Sequence, residues 1–596
     1  MLTPAAYTEA VRAPARALNA CYRVWAPAAQ AVALRAGGVD TPMTPDGRGW
    51  WTSFRRCRHH EDYGFVVDGG EPLPDPRSPF QPDGVHGLSR WIDHDEFQWQ
   101  VGDFQPPPLG SAVIYELHIG TFSPRGTFDG AVERLDALGE LGITHVELMP
   151  ICEFAGARGW GYDGVDLFAP HHAYGGPDGL KRLIDACHRR GLAVILDVVY
   201  NHAGPAGCYL QRFGPYFTRR HRTAWGDAAN LDGPHSDEVR RFFIDNALMW
   251  LRDYRIDALR LDAIHAFVDF SAVPFLRQLT GEVKQLEAMT GRHLSVIAES
   301  DLNDPRVIRS ADAGGYGTDA QWSDDFHHSI HAYVTGERAG YYEDFGTLGD
   351  IAAVLCRGFV YDGRYSSHRR RLHGDSPDGI PGWRFVVSTQ THDQIGNRAR
   401  GERLWMLTSP GRVRIAAALL MTSRFVPMLF QGEEWGATSP FLYFTDHEDE
   451  LGALIRDGRR REFPAFAADP DQVPDPQAAS TFEQSRLRWS ERAADEHADL
   501  LRWYTSLIAL RREIPSLRNG AAQNCRVAFD DAQEYLVMHR GEVVVACNFA
   551  DVPRSMALPG RCMLRLASGS VELGRNRIVM AAESVAILAI AGPFGS

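Results

Sequence analysis

Between residues 113 and 430 short apolar runs alternate with amphipathic segments in one repeating order. The runs are 113–118, 145–149, 193–198, 258–262, 294–298, about 317–322, 385–389 and 426–430. Between them, apolar residues recur at the helical period. Phe128, Ala131, Val132, Leu135 and Leu138 follow a Thr127 cap and end at Gly142, and Leu180, Leu183, Ile184 and Cys187 run to Gly191. Val239, Phe242, Phe243, Ala247, Trp250 and Leu251 form a third such face, with Ser236 as its expected N-cap. Strands that alternate with helices build a parallel sheet, and eight such units close on themselves. The alternation therefore predicts an α/β fold, a TIM (β/α)8 barrel.

The flanks read differently. Before residue 100, short apolar stretches at 22–25 and 63–67 lie among the turn residues Pro45, Asp46, Gly47, Asp68, Gly69 and Gly70, which predicts a small N-terminal β-sandwich. Gln105, Pro106, Pro107, Pro108, Leu109 and Gly110 read as a stiff boundary. An amphipathic helix at 500–514 ends at Pro515, and the runs 535–538, 543–546 and 584–588 predict a C-terminal β-sandwich. The expected units are 1–100, 101–514 and 515–596.

A net charge of −14 argues against nucleic acid and anionic membranes as partners, since both need a positive patch. The basic clusters 369–371 and 459–461 are too short for one. Nine cysteines, an odd number without a Cys-x-x-Cys pair, fit a reducing compartment better than a disulfide framework or a zinc site. Arg12 and Arg16 stand where a secretion signal needs its apolar core, and no apolar run approaches the roughly 20 residues of a membrane span. The expectation is a cytoplasmic enzyme.

In such a barrel the site lies where the strands end. Four strand ends carry polar residues: Asp197, Asn201 and His202 on the third, Arg260 and Asp262 on the fourth, Glu299 and Asp301 on the fifth, His392, Asp393 and Gln394 on the seventh. One aspartate after a strand is most often a helix cap; four polar ends in barrel order are not explained as caps. Arg260 and Asp262, two positions apart, share one face of their strand. Charges there are costly unless they serve each other or a ligand, so Asp262 reads as a nucleophile that Arg260 keeps ionised.

Three carboxylates, an arginine and two histidines without metal-ligand spacing suit glycoside hydrolysis or transfer. A retaining mechanism needs its nucleophile and general acid roughly 5 Å apart, and neighbouring strand ends, about 4.8 Å apart, supply that. Asp262 and Glu299 stand on neighbouring strands, and burial among negative charges should keep Glu299 protonated. Asp393 would accept hydrogen bonds from sugar hydroxyls, while His202 and His392 would donate to the same ring.

These segments, Asp-Val-Val-Tyr-Asn-His ending at His202, Leu-Arg-Leu-Asp-Ala around Asp262, Ala-Glu-Ser around Glu299 and Thr-His-Asp ending at Asp393, resemble the four signature segments of the α-amylase (glycoside hydrolase 13) superfamily. The resemblance implies that Asp262 is nucleophile, Glu299 proton donor and Asp393 transition-state stabiliser. It implies substrate contact by Arg260, His265, His202 and His392 and structural support from Asp197 and Asn201, with no cofactor and no metal requirement.

The stretch Gly159, Trp160, Gly161, Tyr162, Asp163 and Gly164 is similar to the branch that holds glycogen branching enzymes, isoamylases and malto-oligosyltrehalose trehalohydrolases. That branch carries an N-terminal sandwich of carbohydrate-binding type, and Tyr162 would stack on a sugar. The stretches 322–328, 391–398, 441–447 and 458–463 resemble the trehalohydrolases, and branching enzymes less, because Gln394 rather than Glu follows Asp393. This implies hydrolysis of the α-1,4 bond next to the trehalose end of maltooligosyltrehalose, with maltooligosyltrehalose and α-1,4-glucans as ligands. Asp324, His328 and Asn397 would bind the trehalosyl end or its neighbour, and Trp160, Trp225 and Trp322 are possible sugar platforms. The alternative left open is a branching or debranching enzyme with the same three acids. Gln431, where Met is expected, departs from the pattern.

Overall fold

The computed structural model describes residues 21–462, 473–521 and 524–590; the 1–20 segment and Phe463 lie outside the described residues. Eight parallel strands close into a barrel: β1 (Ile114–Leu117), β2 (His145–Leu148), β3 (Ala193–Val198), β4 (Ala258–Leu261), β5 (Ser295–Ala298), β6 (Ala320–Trp322), β7 (Phe385–Ser388) and β8 (Val426–Phe430). Each falls within an apolar run read from the sequence. All are buried along their whole length, which is why they read as continuous apolar runs.

The inside of the barrel changes character along its axis. Ile114, Ile195, Ala258, Ile297, Ala320, Val386 and Met428 pack together as an apolar floor. Two residues on, the same faces of β1, β3 and β4 carry Glu116, Asp197 and Arg260. Asp197 is level with Arg260, and Glu147 of β2 is level with Glu116. The polar layer is thus raised on apolar packing directly beneath the strand ends.

Helices cover the barrel, among them Gly176–Arg189, Ser236–Arg252, Phe275–Thr290, Asp324–Thr335, Pro410–Thr422 and Asp495–Glu513. Two local expectations are corrected. The segment after β1 forms two short helices, Phe128–Val132 and Leu135–Leu141, capped by Thr127 and closed by Gly142 at φ 98°. Ser236 is the first helical residue and not the cap: the cap position falls on His235, which is left-handed at φ 67° and whose side chain makes no capping hydrogen bond.

At the N-terminal end, one sheet pairs Cys21–Trp25, Trp50–Arg56 and Thr44–Pro45, and a second is built on Val32–Ala36 and Asp62–Val67. Trp50 Nε1 donates to Glu238 Oε2 (3.1 Å) and Arg77 pairs with Asp245 (2.8 Å), fastening these sheets to the helix Ser236–Arg252. The C-terminal end is a five-stranded antiparallel sheet and a three-stranded one. Its strands Cys525–Asp530, Arg554–Ala557, Cys562–Ala567, Val571–Leu573 and Arg577–Met580 escaped the sequence pattern because most of their residues are exposed or half-buried. Among the described residues no helix is long and apolar enough to cross a membrane.

Candidate active site

β4 stops at Leu261, which is the register partner of Ala298 on β5. The next residues, Asp262 and Glu299, therefore stand side by side at the rim, on strands spaced about 4.8 Å apart. Ala263 then turns into the left-handed region (φ 41°, ψ 52°), a conformation that costs a non-glycine residue about 1 kcal/mol or more. The turn aims the Ala263 N–H at Glu299 Oε2, which accepts it at 2.5 Å. A strained backbone residue thus links the two carboxylates.

Arg260 lies beneath both and is fully buried. Its Nη1 donates to Asp262 Oδ1 at 2.7 Å and to both oxygens of Asp197 at 2.9 and 2.8 Å, while Nη2 is 3.6 Å from Glu299 Oε2. The ring of Trp322 lies 4.4 Å from the guanidinium carbon. One cation is shared among three acids. Burial lifts the Glu299 carboxyl well above the usual range; Arg260 opposes this, and the charges of Asp262, Asp393 and Asp324 add to it. Burial likewise lifts Asp197 to about 6, with Arg260 opposing.

Asp393 sits on the short helix His392–Gly396 after β7, its side chain 42% exposed to the cleft. Thr391 and Gln394 form a capping box there: Thr391 Oγ1 accepts the Asp393 N–H (3.3 Å), and Gln394 Oε1 accepts the Thr391 N–H (2.7 Å). His392 points the other way, with Nδ1 against Glu116 Oε1 and Nε2 2.8 Å from Tyr162 Oη and 3.4 Å from Asp393. Burial opposes a charge on this ring, but Asp393 and Glu116 outweigh it and raise it to about 9. Tyr162 stacks on His392 (centroids 5.2 Å apart) and donates to Asp197 Oδ2 at 2.7 Å, which closes the network.

Glu116 and Glu147 were missed from the sequence. The signal was present, since each is an acid inside an apolar run, the same anomaly that marked Arg260. Among the described residues neither oxygen of Glu147 has a hydrogen-bond partner, and burial, then Glu116 and Asp197, lifts it well above the carboxylate range.

The remaining residues divide. His202 and Trp225 stack almost parallel (9°, 5.6 Å), with His265 6.1 Å from Trp225, and Trp225 is 48% exposed on the hairpin of Phe217–Thr223 and Gly226–Ala229. Asn201 is buried and its Oδ1 meets His202 Nδ1 at 3.0 Å. Asp324 and His328 lie one turn apart on the helix Asp324–Thr335. Burial, Asp393 and Asp325 lift Asp324 to about 7. Their neighbours are structural: Asp325 Oδ2 accepts from Val360 N, Tyr361 N and Asn303 Nδ2, and His327 bridges Thr389 O and Tyr342 Oη.

Asn397 is exposed next to Arg459, whose Nη2 donates to Gly396 O at the end of the Asp393 helix. Trp160 and Trp322 are buried to 7% and 4% exposure, which leaves neither a face for a sugar. Gln431, the departure from the pattern, ties β8 to the segment after β1 by accepting the His118 N–H (3.0 Å) and donating to Thr121 Oγ1 (2.9 Å). Among the described residues, Glu153, His171 and His172 bring ligand-type atoms within 4.8 Å of one another. His171 Nδ1 and Glu153 Oε2 there already accept backbone N–H groups, from Ala173 and His172.

Comparison with known proteins matches the alpha amylase catalytic domain model over residues 81–219 and a domain of unknown function, DUF3459, over 520–587. A malto-oligosyltrehalose trehalohydrolase from Rhizobium sp. (strain M-11) is 48% identical over 578 residues, 95% of this chain and 97% of its own. The chain belongs to the malto-oligosyltrehalose trehalohydrolase family. A 1,4-alpha-glucan branching enzyme from Corynebacterium jeikeium is 30% identical, over only 54% of this chain and 46% of its own. A crystal structure from Salmonella typhimurium, of a protein described as a candidate alpha amylase, superposes with a TM-score of 0.89 at 36% identity, covering 96% of this chain and 97% of its own.

Proposed function

We propose that this chain is a retaining glycoside hydrolase that cleaves the α-1,4 bond next to the trehalose end of maltooligosyltrehalose, releasing trehalose and a shorter maltooligosaccharide, as a cytoplasmic enzyme of trehalose biosynthesis. The observation that carries the chemistry is the adjacent pair Asp262 and Glu299 with Arg260 beneath them. Asp262 attacks the anomeric carbon while Glu299 protonates the departing trehalose oxygen. Glu299 Oε2 is engaged by the Ala263 N–H, so Oε1 carries the proton. Glu299 then takes a proton from water, which releases the glucan with retained configuration. Asp393, its side chain 42% exposed, holds hydroxyls of the ring as it flattens, and His392 acts from behind through its contacts with Tyr162, the wall of the site.

Incubation with maltooligosyltrehalose, followed by chromatography, should give free trehalose; incubation with amylose should give no new α-1,6 branch points. Branch points without trehalose would overturn the substrate assignment and leave the three acids in place.

A further inference from the structure

Two of the nine cysteines meet across the junction of the barrel and the C-terminal sheet. Cys356 is near the end of the helix Leu348–Arg357, and Cys525 opens the strand Cys525–Asp530. Their side chains cross. Cys356 Sγ lies 3.9 Å from the Cys525 carbonyl, Cys525 Sγ lies 3.5 Å from the Leu355 carbonyl, and the two thiols are within hydrogen-bonding reach of each other. The pair is asymmetric: Cys356 is half-buried and Cys525 buried. Arg424 and Arg357 face Cys356, and Arg540 and Arg424 face Cys525. The contact with Cys525, and then the arginines, bring the Cys356 thiol down to about 7 against the opposing effect of burial.

We propose that Cys356 and Cys525 form a covalent modification site that takes a low-molecular-weight disulfide of the glutathione class and closes to a protein disulfide between barrel and C-terminal sheet. The more accessible Cys356 thiolate attacks one sulfur of the reagent, forming a mixed disulfide and expelling one thiolate. Cys525 gives its proton to solvent and its sulfur attacks Cys356 Sγ, expelling the second. Two protein thiols are oxidised to one disulfide, and the reagent is reduced to two thiols. The folded state already holds the two segments side by side, so the bond restricts chiefly the unfolded chain. None of the polar contacts of the catalytic site includes either sulfur.

The test treats the folded, full-length chain with oxidised glutathione and then counts thiols after denaturation. The count should fall from nine to seven. A non-reducing peptide map should show the peptides bearing Cys356 and Cys525 joined. The thermal midpoint should rise by several degrees and return on reduction. Cys525→Ser should stop at a stable glutathione adduct on Cys356. A persistent adduct on Cys356 of the unmutated chain, or a joined pair elsewhere such as Cys21 with Cys57, would overturn the proposal.

Discussion

Of the carboxyl groups raised at this site, Glu299 stands at the strand-end rim and Glu147 is sealed inside the barrel. Glu299 is raised by burial and by the charges around it, so the rate should fall on the alkaline side where Glu299 deprotonates, above the ordinary glutamate range. Asp324 contributes to that shift. Asp324→Asn should therefore move the alkaline limb of kcat/KM to lower pH, and a limb that does not move would detach Asp324 from Glu299. Asp262→Asn keeps the shape and removes the carboxylate proposed as nucleophile. Hydrolysis of maltooligosyltrehalose should drop roughly 10⁴-fold or more, while maltooligosaccharide binding persists in calorimetry. Glu147 is the second protonated group, unpaired and sealed in the barrel. Its folded value is raised, so the native state binds more protons than the unfolded chain above the ordinary glutamate value of about 4.3. The stability that Glu147 contributes is full below that value and is lost as pH rises towards the folded one. Glu147→Gln removes the titration. Its melting temperature should gain on the unmutated chain progressively from about pH 5 to pH 8, and a constant difference would mean that Glu147 is ionised in the fold.

At the scale of elements, the loop that ends in Asp393 shows what a family motif can hide. Gln394 separates this chain from branching enzymes in sequence, yet its side chain accepts the Thr391 N–H and Oγ–H as the third-position member of a capping box. Glutamate serves that position equally well. Gln394→Glu should keep hydrolysis within a few-fold and create no branching activity. Gln394→Ala should cost about 1 kcal/mol in denaturant unfolding and lower kcat through Asp393. Branch points formed by Gln394→Glu would restore the motif as a specificity contact. The barrel strands were legible because burial on both faces writes a continuous apolar run. Arg260, Asp262, Glu299 and Asp393 were legible because a charge at the end of such a run is an anomaly. Glu116 and Glu147 carry the same anomaly in mid-strand, where it looks like tolerated polarity; pairing of β1 with β2 sets them level, and closure of the barrel brings His392 against Glu116. The left-handed turn at Ala263 had no signal, since alanine does not advertise a positive φ. Trp160 and Trp322 failed as platforms for a related reason: sequence cannot tell a buried indole from an exposed one.

At the scale of the whole molecule, buried guanidinium groups that bond to backbone carbonyls tie both the last barrel helix and the C-terminal sheet to one turn. Arg511, on the helix Asp495–Glu513, donates to the carbonyls of Met421, Ser423 and Phe425 at 2.8, 2.9 and 2.5 Å. Arg540, on the strand Tyr535–Arg540, donates to Thr422, Ser516 and Asn519 at 3.3, 3.0 and 2.9 Å. Both reach the 421–425 turn, which leads straight into β8, the strand that closes the barrel on β1. The last barrel helix, the final strand and the C-terminal sheet are thus held through one turn. Truncating Arg511 leaves buried carbonyls unpaired, at about 1–3 kcal/mol for each group left without a partner. Arg511→Leu should cost about 3 kcal/mol or more and lower the melting temperature by several degrees, while kcat at 25 °C stays near normal because the strand-end residues are untouched. Arg511→Lys should rescue only part of the loss, since a single ammonium cannot span three carbonyls as a planar fork does. If Arg511→Leu melted with the unmutated chain, the turn would not be the joint that holds the last barrel helix to β8.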